Sequence, residues 1–545
     1  MIISKCIDEK HIYTAWRENG ERQFKLEAFE PYFFIEDDEF QEEKYTINKY
    51  INRSFKYEKG DWLSLKGKPL KKVIVEQATD IYKARKMWNT TYEADVPFGF
   101  RYAIDELNQL PEYEMRKWYW DMEWQQGGEH HNKITVIVAY DSFDKNYYQW
   151  AWFPNYDGDN ELFYNNEKDM IESFIQYMID KDPDMLIAWF GLKFDLPKLL
   201  DRCCALGINP MRMSPINRIE GVKKTATGYS FSKGESGFSP IQQPLGGRIT
   251  LNLDLAFERQ WNDSQRGTLP SMSLEYVSQT LFGEGKSKET IFDDPNEFYR
   301  RGWLEDTEAY LKYARIDVEL LVRIDETNFC SEAVIALQRL LVAPFEACFY
   351  ASHMGSIYFM RNADWICKTG SKVDKREEYE GAMIYDPLSE NTNGLHLNVA
   401  AFDFAGLYPA MIISRNISWE SKSETPTELG VNIATPRDFS PTVREHMLYY
   451  NTDKLGLLPR AVLELKDLRN EYKGLMREAK EEGSEAEHNK WYNNQMAVKR
   501  LMASFYGIVA YQGFGWADVN LAASITASAR EAIRLAAFKA KEIEG

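Results

Sequence analysis

The chain is expected to fold as an α/β and α+β multidomain protein. Three observations predict this. Its 545 residues exceed what one ordinary core organises, so three or four domains are expected. Aromatic and β-branched runs from about residue 116 read as an antiparallel meander, and alternating helical and strand-like segments follow. Residues 456–507 carry a 3.6-residue apolar period over two long stretches joined by Gly483 and Ser484, which reads as helix, turn, helix.

Bulk composition narrows the classes. Hydrophobic residues make up 44% and charged residues 28%, as in globular proteins. No run of 18 uncharged apolar residues occurs, so no membrane span is expected. The start, MIISKCIDEKHIY, lacks the basic head and apolar run of a signal peptide, which predicts a cytoplasmic location. None of the six cysteines forms a C-x-x-C pair, which argues against a zinc site or a disulfide framework. The net charge of −18 argues against a broad basic footprint for nucleic acid and leaves only a local basic groove for such a partner.

In chain order, residues 1–100 mix short strand-like runs (HIYTAW, PYFFIED, KKVIVE) with charged turns. KWYWDMEWQ, KITVIVAYD and YYQWAWFP form the meander. A helix over about 167–180 precedes the strand DMLIAWFG. In FDLPKLLDRCCALG, Asp195 and Pro197 mark a helix start and Gly207 its end. Residues 221–247 read as a hairpin or insertion, GRITLNLDL as a strand, and 306–345 as long helices. TGSKVDKREE at 369–378 reads as an exposed linker, after which strands are expected again.

Two acidic systems carry the chemistry. Asp121 and Glu123 sit at i and i+2 of a strand and so share one side of it. Two neighbouring carboxylates repel, and solvent or a divalent cation relieves them. Asp195 opens a helix directly after a strand, and Tyr313 and Asp317 share a helix face. Three segments thus supply four carboxylates, enough for two metal ions. The second system is LNVAAFDFAGLYPAMIISR at 397–415. Asp403 is its one acidic residue, and a buried ion needs a charge or a metal beside it. On the helical hairpin, Lys466, Arg469, Lys473, Arg477 and Lys480 share a face, and Lys499 lies on the returning helix. Such a stripe is either a solvated face or a row of cations for a polyphosphate.

D-x-E on a strand, F-D opening a helix and a later Y-x-x-x-D resemble the three motifs of the 3′→5′ proofreading exonuclease in family B (polymerase-alpha-like) DNA polymerases. The resemblance implies that Asp121, Glu123, Asp195 and Asp317 hold metal and that Tyr313 positions the attacking water or the scissile phosphate. Phe190 stands where the family usually has Asn, which implies an altered grip on the primer end. DFAGLYPAMI resembles the palm motif D-x-x-S-L-Y-P-S-I, with Gly406 and Ala410 in place of Ser. Asp403 is then one of two palm aspartates for magnesium, the Phe404 carbonyl faces the metal, Leu407 belongs to the same nucleotide-binding motif, and Tyr408 stacks beneath the incoming sugar. YEGA at 379–382 resembles the Y-x-G-G/A segment between the two activities. LKDLRNEYKGLM and KRLMASFYG resemble the two fingers helices. They aim Arg469, Lys473 and Lys499 at the triphosphate and pack Tyr506 and Gly507 against the nascent base pair. Ala503 replaces the usual Asn.

The resemblance implies a mixed N-terminal domain at 1–100 completed by 331–385 and an RNase H-like 3′→5′ exonuclease domain at 101–330. It further implies a palm at 386–455 resuming at 509–545 and fingers at 456–508. Magnesium or manganese, two ions per active site, is the implied cofactor. DNA primer-template and deoxynucleoside triphosphates are the implied partners, with a sliding clamp as one the family often uses. YFFIED and the compact fingers look like tailed-phage replicative enzymes, which implies a host cytoplasm.

The family's later D-T-D motif does not occur in the sequence, and no thumb follows the fingers. The expectation is therefore the N-terminal part of a split or truncated polymerase, with a second polypeptide supplying the second aspartate and the thumb. The alternative is a stand-alone 3′→5′ exonuclease with a non-catalytic polymerase remnant, and an inactive homologue is a third reading. Trp118, Trp120, Trp124 and Phe190 either pack in the core or stack on unpaired bases.

Overall fold

Strand β1 (Lys117–Trp124) is central to a six-stranded sheet. It pairs antiparallel with β2 (Ile134–Asp141), which pairs antiparallel with β3 (Asn146–Trp152). The short β4 (Phe163–Tyr164) runs parallel to β3 at one edge. The chain crosses through α1 (Glu167–Lys181) to β5 (Met185–Ala188), which lies parallel to β1 on its other side. It crosses again through α2 (Asp195–Ala205) to β6 (Ile249–Asn252), parallel to β5. The spatial order is β4-β3-β2-β1-β5-β6. The meander and the α/β alternation read from sequence are both present, and their junction at β1/β5 places Asp121, Glu123 and Asp195 at one sheet region.

The computed structural model describes residues 1–39, 55–263, 267–286, 290–370, 376–383, 395, 397, 399–400 and 402–544. By compactness the chain divides into two units, residues 1–29 with 106–346 and residues 30–105 with 347–545. Residues 1–29 therefore fold with the six-stranded sheet rather than with the rest of 1–100. Strands Ile2–Lys5, His11–Glu18 and Glu21–Ala28 form a meander there. The buried Arg17 and the part-buried Arg22 tie it down: Arg17 Nε lies 2.5 Å from Asp184 Oδ2, and Arg22 Nε lies 2.6 Å from Asp182 Oδ2.

In the first unit the core is aromatic. Trp118 and Trp150 are fully buried, and Phe174 of α1 packs against both, with ring centroids 6.1 and 5.2 Å away. After β6 come α3 (Leu253–Asp263) and α4 (Leu274–Phe282), the latter capped by Ser273 and ended by a left-handed Gly283. The long α5 (Thr307–Asn328) follows. The expected hairpin is present as strands Val222–Thr225 and Gly228–Phe231.

In the second unit, strands Tyr32–Glu36, Lys56–Leu63, Pro69–Ile74 and Thr91–Tyr92 make a four-stranded antiparallel sheet. Helix α6 (Leu407–Ser414) precedes a three-stranded sheet of Lys422–Ser423, Met447–Tyr450 and Leu429–Asn432. The helical hairpin is α7 (Leu457–Glu481) and α8 (Glu485–Ala510), and α9 (Val519–Glu544) follows. Arg530 of α9 is fully buried and donates to the carbonyls of Glu380, Gly381, Ile433 and Thr435, which anchors the YEGA segment.

Residues 371–375 of the expected linker, and most of 384–401, where strands were expected, lie outside the described residues. Residues 402–404 are described and are not strand. Among the described residues no helix is long and apolar enough to cross a membrane.

Candidate active site

Along the end of β1 the side chains alternate. Trp120 and Met122 are buried on one side, and Asp121 and Glu123 share the other. Helix α5 brings Asp317 to them. One ligand oxygen from each of Asp121, Glu123 and Asp317 lies within 4.8 Å of the other two. Tyr313, one helical turn before Asp317, is buried beside it. Asp195, at the first position of α2, is 4% exposed and stands outside that closest triad, yet it couples electrically to Asp121 and Glu123.

The electrostatics show how costly this cluster is. Burial, then the Asp317 charge, pushes the Asp121 carboxyl up to about 7. Burial, then Asp121 and Asp317, holds Glu123 well above its ordinary range. Burial and then Asp121 do the same to Asp195. Asp317 is raised by burial against the opposing pull of Lys286.

Lys286 is the residue that sequence reasoning missed. Its Nζ lies 2.5 Å from Asp317 Oδ2 and 2.9 Å from the Tyr313 hydroxyl. Burial opposes its charge, but Asp317, Asp121 and Glu123 outweigh that and hold it protonated. It sits in GEGKSKE after α4, where nothing in local pattern separates it from a solvated lysine.

One cation does not complete the site. Asp317 Oδ1 is buried without a hydrogen-bond partner, and three carboxylates face one lysine. An oxygen-only donor set with surplus negative charge fits a divalent hard cation such as magnesium or manganese. Asp121, Glu123 and Asp317 are the residues that would hold it, with Asp195 adjoining.

The turn carrying Asp195 is built with care. Phe190 has φ +57°, a left-handed backbone that costs a non-glycine residue about 1–2 kcal/mol. The Phe190 N–H donates to Asp254 Oδ1 at 3.2 Å, and the Leu192 N–H donates to Asn252 Oδ1 at 3.0 Å. A Cβ on Gly191 would meet the Ala188 Cβ at 2.5 Å, so glycine is required there. Asn252 and Asp254, at the junction of β6 and α3, thus clamp the loop that presents Asp195. Trp118 and Trp120 are core residues, whereas Phe190 is half-buried.

In the second unit the arrangement is different. Asp403 is exposed, in the segment leading into α6. The expectation of a burdened, buried carboxylate is therefore not met. Among the described residues the acidic triad is confined to Asp121, Glu123 and Asp317, and Asp403 belongs to no such group. Phe404 is 45% exposed, and Leu407 begins α6. Gly406 has φ +67°, which accounts for glycine at that position.

The Tyr408 and Tyr506 rings lie 4.9 Å apart, and the Tyr506 hydroxyl is 2.9 Å from that of Tyr379. Three separated segments therefore meet at these tyrosines. Gly507 adjoins them on α8. Across the hairpin, Arg469 donates to Gln495 Oε1 at 3.2 Å. The Arg469 charge first, then burial, then Lys499 and Arg477, hold Lys473 below its ordinary value. Arg469, Lys473, Arg477 and Lys499 thus crowd together on the hairpin.

A sequence model of the DNA polymerase family B exonuclease domain matches residues 119–243, and the DNA polymerase family B model matches residues 355–542. Both matched stretches are those of DNA polymerase family B. Asp121, Glu123 and Asp195 fall in the first match; Asp403, Tyr408, Arg469, Lys473, Lys499 and Tyr506 fall in the second. Tyr313 and Asp317 lie outside both and join the site by geometry alone.

Two archaeal relatives illustrate the family resemblance. A DNA polymerase of Pyrococcus glycovorans is 27% identical, covering 97% of this chain and 66% of its own length. One from Thermococcus sp. (strain 9oN-7) is 26% identical over 95% of this chain and 65% of its own. The chain spans just under two thirds of the length of these relatives. The solved family B DNA polymerase from Pyrobaculum calidifontis shares the fold, with a TM-score of 0.72 at 18% identity over 99% of this chain and 71% of that one.

Proposed function

We propose that the first unit is a 3′→5′ exonuclease that removes nucleotides from single-stranded DNA ends, with Asp121, Glu123, Asp195 and Asp317 as its metal carboxylates. The observation that carries the proposal is the triad of carboxylates, Asp317 buried and Asp121 and Glu123 part-buried, around a single lysine. Surplus buried negative charge of this kind destabilises a fold unless a cation or a function accounts for it. Divalent ions, when bound, supply activation of water and stabilisation of the leaving oxygen of a phosphodiester.

The chain's own groups do the rest. Lys286 donates to the Tyr313 oxygen and so orients the phenol beside the carboxylates. The ammonium of Lys286 also offsets the charge of an incoming phosphate. The clamp from Asn252 and Asp254 fixes the turn before Asp195, so positioning is settled before substrate arrives.

For the second unit we propose DNA-templated nucleotide addition, with primer-template DNA and deoxynucleoside triphosphates as substrates. Palm residues 386–455 and 509–545 would hold the reacting ends. Fingers 456–508 would present Arg469, Lys473 and Lys499 to the triphosphate, with Tyr408, Tyr506 and Gly507 around the nascent pair. Charge and positioning, not covalent chemistry, are the protein's contribution. Asp403 needs a second carboxylate to hold two ions. We propose that further polypeptide supplies it, so that these 545 residues trim DNA without extending it. The exposure of Asp403 favours that division. Incubating the purified chain with a labelled primer-template, nucleotides and magnesium tests it: trimming without extension is expected, and robust extension refutes the proposed need for a second carboxylate.

A further inference from the structure

Arg469 of α7 and Gln495 of α8 meet across the helical hairpin, 26 positions apart, where the Arg469 Nε–H donates to Gln495 Oε1 at 3.2 Å. Gln495 is 5% exposed and is followed by the buried Met496, Ala497 and Val498. A polar amide buried there costs free energy unless its acceptor is used. Guanidinium groups elsewhere in the chain are fixed by carboxylates: Arg17 by Asp184, Arg101 by Glu93 and Arg202 by Glu167. Arg469 is held differently. Among the described residues no carboxylate pairs with it, and burial alone draws its guanidinium below the ordinary value. Lys473 is held below its ordinary value first by the Arg469 charge, then by burial, Lys499 and Arg477. The bond to Gln495 takes one of the five guanidinium donors and leaves the η nitrogens for a bidentate contact with a phosphate.

Resting on the reading of the hairpin as a triphosphate site, we propose that Gln495 is a positioning residue that aims Arg469 without neutralising it. A glutamate there would hold the same guanidinium but would cancel one charge of the cluster. The neutral amide fixes the direction of the fork and leaves its full charge to the ligand. The repulsion among Arg469, Lys473, Arg477 and Lys499 is then relieved by bound phosphate charge, so affinity rises with each phosphate of the nucleotide.

The test uses the full chain and reads Kd for a fluorescent deoxynucleoside triphosphate, with unlabelled mono-, di- and triphosphates as competitors. The parent is expected to bind triphosphate most tightly and monophosphate most weakly. Gln495→Glu keeps the acceptor and adds an opposing charge. Its triphosphate Kd should rise about tenfold, and its preference for triphosphate over monophosphate should shrink. Gln495→Met keeps the charge and removes the acceptor, and its triphosphate Kd should also rise about tenfold. Added to Arg469→Ala, Gln495→Met should change Kd no further, because Gln495 acts through Arg469. A residue that merely holds the two helices together would weaken binding in both backgrounds and would leave the phosphate preference of Gln495→Glu as in the parent. Unchanged Kd and phosphate preference in Gln495→Glu, or a full further loss on adding Gln495→Met to Arg469→Ala, would overturn the inference. A parent chain that binds no triphosphate overturns the triphosphate reading instead. A parent that binds it, with Gln495 variants indistinguishable from it, overturns only this inference.

Discussion

Lys286 Nζ lies 2.5 Å from Asp317 Oδ2, and this ion pair neutralises part of a carboxylate cluster assembled from β1 and α5. The lysine reaches the site from the loop after α4, and the aspartate from the middle of α5. Their meeting offsets part of the repulsion among the acids and leaves a surplus of negative charge.

Replacing Lys286 with Met should therefore make the fold depend on metal. Breaking a fully buried pair costs about 3–5 kcal/mol because the partner charge is left alone, and this pair, with Lys286 28% exposed, costs less than that. In the presence of a chelator Lys286→Met should melt well below the parent, and magnesium should raise its Tm by more than it raises the parent's. Thermal melts with and without magnesium check this. Equal metal shifts in the two proteins would count against the assignment.

The opposite trade is expected at the acids. Asp121→Asn with Glu123→Gln removes the repulsion that pushes both carboxyls up, so the metal-free protein should gain stability while 3′-end trimming falls at least a hundredfold. Melting in chelator and trimming in magnesium give the two readouts. Lower stability with activity intact would contradict it.

Asp254 gives a pH signature. Burial pushes its carboxyl up to about 6 from an ordinary 3.8, so the fold favours its protonated form. Its stabilising contribution is full below pH 3.8 and is lost as pH rises through about 6. The shift corresponds to up to about 3 kcal/mol. Asp254→Asn keeps an acceptor for the Phe190 N–H and has no charge to lose. The variant should match the parent near pH 4 and exceed it by about 1–3 kcal/mol at pH 8 in denaturant unfolding. A constant difference across that range would refute the titration.

On the hairpin, Lys473→Ala and Lys499→Ala should each weaken deoxynucleoside triphosphate binding by about tenfold, since each removes a charge-assisted contact. The side chains are not buried, so Tm should hardly change. Binding should also weaken with added salt. Titration of a fluorescent triphosphate measures the binding and its salt dependence, and thermal melts measure Tm.

Much of this arrangement could be read from residue pattern. Asp121 and Glu123 were separable by strand alternation, Tyr313 and Asp317 by helical spacing, and the basic hairpin by its period, because each is local. Lys286 was not readable: a lysine among Gly, Glu and Ser gains meaning only when a distant helix supplies Asp317. The attachment of residues 1–29 to the first unit was hidden for the same reason, since Arg17 and Asp184 are 167 positions apart. The left-handed Phe190 is set by Asp254, 64 positions later. The exposure of Asp403 ran against its apolar neighbours in sequence, which predict burial only where other elements cover them.

The central claim is tested most directly by incubating the purified chain with 5′-labelled single-stranded DNA and magnesium, beside the Asp121→Ala, Glu123→Ala double variant. Stepwise shortening from the 3′ end by the parent and none by the variant is the predicted result. An intact substrate with the parent, or equal shortening by both proteins, would contradict it.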